Sequence, residues 1–345
     1  MIRILFALLS LLFCLEAHSA DDKKIAMEEF MVPAAESGIN LYVRNKHPAG
    51  INKFTPDKIL LFVHGATYPA ETAFDLEPNG MSWMDYAANH GYDVYLVDVR
   101  GYGKSTRPPE MDKPASENGA IVRTDTAIKD IGTAVDFVLT RRNVSKIDLL
   151  GWSWGTAIVG GYTVQHNDKV NRLVLYAPLW IYNKSPFPPT LTKFGAYRTV
   201  TREVAKARWL AGVAEDKKAD LIPIGWFDAW ADATFASDPA GSKQTPPVIR
   251  APNGVLQDIL DFWVAGKPSY DPADIRVPTF LVHAEWDADL PSYMLHGIFA
   301  KLTNAPYKRY VEIGEGTHMI ILEKNRMQLF HEVQQFLDEK LTPDQ

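Results

Sequence analysis

The chain has 345 residues, 46% hydrophobic and 23% charged, an ordinary globular composition that excludes a disordered polymer. That length holds one large α/β domain with an insertion, or two ordinary domains. A net charge of −6 gives no basis for nucleic acid or an anionic membrane as partner, and the single cysteine, Cys14, leaves no disulfide framework.

In chain order, Arg3 precedes the apolar run Ile4 to Leu15, which is too short to cross a bilayer. Ala17-His18-Ser19 then supplies small residues at the −3 and −1 positions of a cleavage site. Residues 1–19 read as a secretory signal peptide, cut after Ser19 or Ala20, with no stable membrane anchor. Phe13 is bulky where lipoprotein signals take a small residue, which argues against lipidation at Cys14. The mature protein is expected to be secreted or periplasmic, without disulfides, a thiol nucleophile or cysteine metal sites.

Glu28 to Pro33 and Ile39 to Arg44 read as two strands of an antiparallel hairpin turning at Ser37-Gly38. Ile59 to Val63 is a continuous apolar run, the pattern of a strand covered on both faces, and it ends in His64-Gly65-Ala66-Thr67. A helix is expected from Ser82 to His90, stopped by Gly91. Asp93 to Val99 is the next buried strand, followed by Arg100-Gly101-Tyr102-Gly103-Lys104-Ser105, and Arg107 to Gly119 reads as loop. From Asp125 to Arg142 the residues Ile128, Ile131, Val135, Val138 and Leu139 share one helical face.

Lys146 to Leu150 is a further buried strand, Gly151-Trp152-Ser153-Trp154-Gly155 a turn, and Thr156 to Tyr162 opens a helix. Another strand follows at Arg172 to Pro178. The alternation stops near Trp180 and resumes with a strand at Thr279 to His283. The intervening residues 181–275 show no clear buried strand but many aromatic residues on helix-like segments, with a loop from Asp238 to Gly254. A helix at Ser292 to Leu302, a strand at Lys308 to Ile313 and a closing amphipathic helix at Glu323 to Leu341 complete the chain. Alternating strands and helices predict an α/β fold, a mostly parallel sheet flanked by helices. The core then comprises residues 20–180 and 276–345, and residues 181–275 form a helical cap over the carboxyl edge of the sheet, where open α/β sheets bind ligands.

A serine between a strand and a helix, with glycine two positions before and two after, fits a nucleophile elbow. The turn strains the serine backbone, and larger flanking residues would collide with the neighbouring strand and helix. A serine hydroxyl needs a base, and that base needs a carboxylate to fix its tautomer. His318, in the loop between the last strand and the closing helix, is the best-placed base. Asp287, directly after the strand ending His283-Ala284-Glu285-Trp286, is the favoured acid, with Asp289 and Glu285 as rivals. His64 follows a strand on the wrong side of the serine in sequence and reads as structural. An oxyanion hole needs two backbone N–H groups. One is expected from Trp154, the other from the loop after His64, with Ala66 ahead of Thr67.

Together these motifs resemble the α/β-hydrolase fold with an inserted helical cap, over about residues 55 to 325. The resemblance rests on His64-Gly65, on Asp98-Val99-Arg100-Gly101-Tyr102-Gly103-Lys104-Ser105, on the elbow, on the Asp287 turn and on Gly316-Thr317-His318. It implies a triad of Ser153, Asp287 and His318 with no cofactor. Epoxide hydrolases and haloalkane dehalogenases of this fold carry aspartate at the elbow, so Ser153 argues against both. The serine version is similar to esterases, lactonases, proline-iminopeptidase-like enzymes, cofactor-free haloperoxidases and carbon–carbon bond hydrolases. Proline iminopeptidases usually follow the first His-Gly with Gly-Pro-Gly, where this chain has Ala66-Thr67-Tyr68.

Other motifs fail. Gly103-Lys104-Ser105 imitates the end of a P-loop, but Asp98 stands at the position of the first glycine. No H-E-x-x-H motif occurs, and no metal site is expected. The reading is a secreted serine hydrolase acting on a small-molecule carboxylic ester. An amide or peptide hydrolase, a lactonase and a non-catalytic binding protein are the alternatives. The aromatic insert suggests an apolar or aromatic ester held by Trp152, Trp180, Trp226, Trp230 and Trp263.

Overall fold

The computed structural model describes residues 24–341, so the segment read as a signal peptide, with Cys14, lies outside the described residues. In chain order the strands are β1 (Ile25–Pro33), β2 (Asn40–Pro48), β3 (Ile59–Val63), β4 (Asp93–Val97), β5 (Ile147–Trp152) and β6 (Val170–Tyr176). They continue with β7 (Tyr197–Thr201), β8 (Val248–Pro252), β9 (Thr279–Ala284) and β10 (Lys308–Ile313). All but β7 and β8 form one sheet in the order β1-β2-β4-β3-β5-β6-β9-β10. β2 runs antiparallel to both its neighbours, and every pair from β4 to β10 is parallel. The continuous apolar runs occupy the middle, where β3, β4, β5 and β9 are buried throughout.

Helices α1 (Ala70–Phe74), α2 (Trp83–Asn89), α3 (Thr124–Arg142) and α4 (Trp154–Gln165) belong to the first part of the core. The insert carries α5 (Arg202–Trp209), α6 (Lys218–Leu221), α7 (Trp226–Ala236) and α8 (Gly254–Asp258), and the core resumes with α9 (Ser292–Lys301) and α10 (Arg326–Asp338). Alternate residues of each strand face opposite layers. Ile59, Leu61 and Val63 join Ile131 and Val135 of α3, Ile158 of α4 and Ile298 of α9 in one core. Leu60 and Phe62 join Trp83 and Tyr86 of α2 and Phe330 and Phe336 of α10 in the other. Ser82 starts α2 with a reciprocal cap: Asp85 N–H donates to its hydroxyl at 2.9 Å, and its own N–H donates to Asp85 at 3.0 Å.

Two expectations need correction. β2 extends beyond Arg44 to Pro48, because its charged residues are buried as ion pairs. Arg44 and Lys46 both reach Asp75 at 2.7 Å, and Asn45 donates to Asp93 at 2.9 Å. The insert, expected to be helical with a loop at Asp238 to Gly254, contains an antiparallel ladder of β7 and β8 with Thr199 opposite Arg250. β8 is fully buried although it carries an arginine. The Asp238 carboxylate accepts from the backbone N–H of Arg250 at 2.9 Å and from its guanidinium Nη2 at 2.8 Å, which permits burial of that charge. A smaller correction concerns the closing helix, which begins at Arg326 because Glu323 turns its side chain inward.

Removing one partner of a buried ion pair leaves an uncompensated charge. Asp238→Ala is therefore expected to cost about 3 kcal/mol or more in urea unfolding. A loss below about 0.5 kcal/mol, the range of ordinary surface changes, would show that Asp238 does not hold the ladder.

Candidate active site

The turn after β5 carries the strain its sequence implies. Ser153 has φ 57° and ψ −123°, in a region L-residues rarely visit. A Cβ at Gly155 would stand 2.4 Å from the Val63 carbonyl oxygen, and one at Gly151 would stand 2.4 Å from the Gly155 carbonyl oxygen. Only glycine at both positions lets α4 fold back this closely on β5 and the end of β3. Ser153 N–H donates to Tyr176 O at 2.9 Å, which ties the elbow to β6. Gly65 faces the Ser153 hydroxyl, since a Cβ there would lie 3.3 Å from Ser153 Oγ.

The loops after β9 and β10 meet through one short bond. His318 Nδ1 donates to Asp287 Oδ2 at 2.7 Å. Asp287 Oδ1 accepts from the N–H groups of Asp289 at 3.0 Å and Leu290 at 2.9 Å, so the carboxylate is held by its own turn. The rivals go elsewhere: Asp289 pairs with Arg208 Nε at 2.7 Å, and Glu285 accepts from Glu315 N–H at 2.9 Å. Because Nδ1 carries the proton given to Asp287, Nε2 of the neutral ring is left with its lone pair. Burial pushes the His318 imidazole toward its neutral form, but the carboxylates of Asp287 and Asp289 outweigh it and raise its pKa above the ordinary histidine value.

Trp152 joins the elbow to the histidine loop. Its Nε1 donates to His318 O at 3.2 Å, and its ring centroid lies 5.4 Å from that of the imidazole. Tyr176 OH donates to the same carbonyl at 2.9 Å. Among the described residues the imidazole is hydrogen-bonded to Asp287 and not to Ser153, and Trp152, the residue before Ser153, is bonded to the His318 carbonyl. His64 is structural: Nε2 accepts from Val99 N–H at 3.0 Å, Nδ1 donates to Gly65 O at 2.6 Å, and burial lowers its pKa.

Of the predicted oxyanion donors, Trp154 is the first residue of α4, so its N–H has no partner within the helix. Ala66 lies one residue beyond Gly65 and is half-buried. Of the five tryptophans, Trp230 lines a small cavity beside His318 with Tyr68, Arg208 and Trp209, and Trp152 lies against the imidazole. The other three line different places. Trp180 packs edge-on to Tyr270 with centroids 5.6 Å apart, the Trp226 ring lies under the Arg326 guanidinium at 4.7 Å, and Trp263 faces a separate groove with Arg123 and Phe262.

Sequence reasoning missed Glu323. It is buried, accepts from Thr317 N–H at 2.9 Å and Trp209 Nε1 at 2.8 Å, and also bonds the Thr317 hydroxyl. It thus fastens the histidine loop to the insert, and burial pushes its carboxyl up to about 7. Its closeness in sequence to His318 was the one available signal, and the charge pointed to an exposed helix start.

A family model described as an alpha/beta hydrolase fold matches residues 58–325. A putative non-heme chloroperoxidase of Synechocystis is 26% identical over 245 residues, 66% of this chain and 76% of that protein. A probable lipase of Schizosaccharomyces pombe is 33% identical over 93 residues, 26% of this chain, and the chain spans only 20% of that relative's length. Among solved structures, an esterase from Exiguobacterium antarcticum aligns with a TM-score of 0.58 at 18% identity, covering 90% of this chain and 100% of its own. That likeness concerns the fold.

In an NMR titration His318 is expected to ionise above the ordinary histidine value, and Asp287→Asn is expected to move that midpoint down. An unchanged midpoint would mean that the Asp287 carboxylate does not act on the ring.

Proposed function

We propose, from the premise that the chain belongs to the α/β-hydrolase-fold family, that it is a serine hydrolase cleaving carboxylic esters with Ser153, His318 and Asp287. The observation that carries the reading is the 2.7 Å bond from His318 Nδ1 to Asp287, which leaves Nε2 with its lone pair on a ring whose centroid lies 5.4 Å from that of Trp152, the residue before Ser153. In the first step Nε2 takes the Ser153 proton as Oγ attacks the ester carbonyl. The N–H groups of Trp154 and Ala66 receive the oxyanion. The imidazolium, stabilised by Asp287, then gives its proton to the departing alcohol, and an acyl-serine remains. Water, deprotonated by the same nitrogen, releases the acid and restores the hydroxyl.

The aromatic lining of Tyr68, Trp209 and Trp230 supports a substrate with an apolar or aromatic group. The cavity itself measures ≈ 10 Å³, room for about one water, and the proposal includes displacement of the insert from the histidine loop when an ester binds. Export on residues 1–19 belongs to the same proposal.

With 4-nitrophenyl butyrate, Ser153→Ala is expected to lower kcat by about 10⁴-fold or more. Loss of less than about tenfold in a folded variant would remove Ser153 from the reaction.

A further inference from the structure

Two guanidinium groups converge on the loop after β3. Arg198 of β7 donates through Nη2 to Thr67 Oγ1 at 2.5 Å, and Arg208 of α5 reaches the same oxygen through Nη1 at 3.4 Å. Thr67 is buried, with a left-handed φ of 86°. It stands two residues after Gly65, which faces Ser153, and two residues of chain span at most about 7 Å. Both cations therefore sit on the loop that borders the nucleophile.

Their charges are not equally met. Arg208 pairs with Asp289 at 2.7 Å. Arg198 has only neutral partners: Pro252 O at 2.8 Å, Asn253 Oδ1 at 3.3 Å and the Thr67 hydroxyl. No carboxylate pairs with it among the described residues, and burial and the nearby Arg208 both work against its charge. Arg198 is half-buried, and a cation partly withdrawn from water without a counter-charge is destabilising unless something else supplies one. A third donor lies near. Trp230 Nε1 is buried without a partner, and Trp230 lines the same cavity as Arg208 and His318. The two carboxylates at hand, Asp287 and Asp289, are already engaged. The rim of the site thus holds more donors than acceptors.

We infer that Arg198 and Arg208 form an anion subsite that selects esters carrying a second, ionised carboxylate. The inference rests on the ester-hydrolase reading and narrows its substrate class. A planar guanidinium matches a carboxylate through paired N–H donors, which an ammonium does not reproduce. The aromatic side chains then hold the hydrocarbon part of the substrate and the arginines its charged end.

The test compares 4-nitrophenyl hydrogen glutarate with its methyl ester, 4-nitrophenyl methyl glutarate, after subtraction of spontaneous hydrolysis. The two share chain and leaving group and differ in charge. The full-length protein is expected to favour the anionic ester in kcat/KM by about tenfold or more. Arg198→Gln is expected to abolish that preference, and Arg198→Lys to restore only part of it. Equal or better turnover of the neutral ester by the unaltered protein overturns the inference alone. So does a preference unchanged in an Arg198→Gln variant that melts at the unaltered temperature. Turnover of neither ester strikes down the hydrolase reading and the inference with it. Should Arg198→Gln fail to fold, competitive inhibition by glutarate against glutaramide decides: stronger inhibition by the dianion supports the subsite, and equal inhibition overturns it.

Discussion

A hydrogen bond between two loops, His318 to Asp287, determines which nitrogen of the imidazole is basic, and the sheet exists in the form needed to make it. β9 and β10 are parallel neighbours with Ile313 opposite Ala284, so their carboxyl ends stop at the same level. Asp287 follows one end and His318 the other. β5 and β6 deliver Trp152 and Tyr176 to the carbonyl of the same histidine. Four parallel strands thus contribute to a single loop, which is why the carboxyl edge of such a sheet gathers chemistry.

The arrangement stores strain and charge that the core must offset. Ser153 is held at positive φ between layers whose residues are almost wholly buried. Burial alone would favour a neutral imidazole that is slow to take a proton, and the Asp287 carboxylate corrects this. Glu323 extends the same logic outward: it joins Thr317 to Trp209, so the position of the histidine loop and that of the insert are coupled. Movement of α5 to admit a substrate would then be felt at His318.

Much of this was legible in the sequence, for physical reasons that can be named. Ile59 to Val63 announces a strand covered on both faces, Lys146 to Leu150 a further buried strand, and the two glycines around Ser153 a turn no other residue could make. Asp287 was favoured over Asp289 and Glu285 by its distance from the end of the strand, and it is the carboxylate that meets His318. What escaped were polar residues buried by partners distant in the chain. Arg44, Lys46 and Arg250 hid the end of β2 and the whole of β8, because hydrophobic periodicity cannot see an ion pair. Arg198 and Arg208, whose partners are also distant in the chain, carried no signal, and Glu323 had only its closeness in sequence to His318. The tryptophans show a related limit: Trp180 packs in the core and Trp230 lines the cavity beside His318, and composition does not separate the two kinds.

The central claim is that the elbow hydroxyl is made nucleophilic by the Asp287–His318 pair. Treatment of the folded protein with a fluorophosphonate, followed by mass mapping of the modified peptide, tests it most directly. The account predicts a single adduct on Ser153, formed far more slowly in His318→Ala. A folded protein left unmodified at Ser153, or one labelled there equally fast without His318, would contradict it.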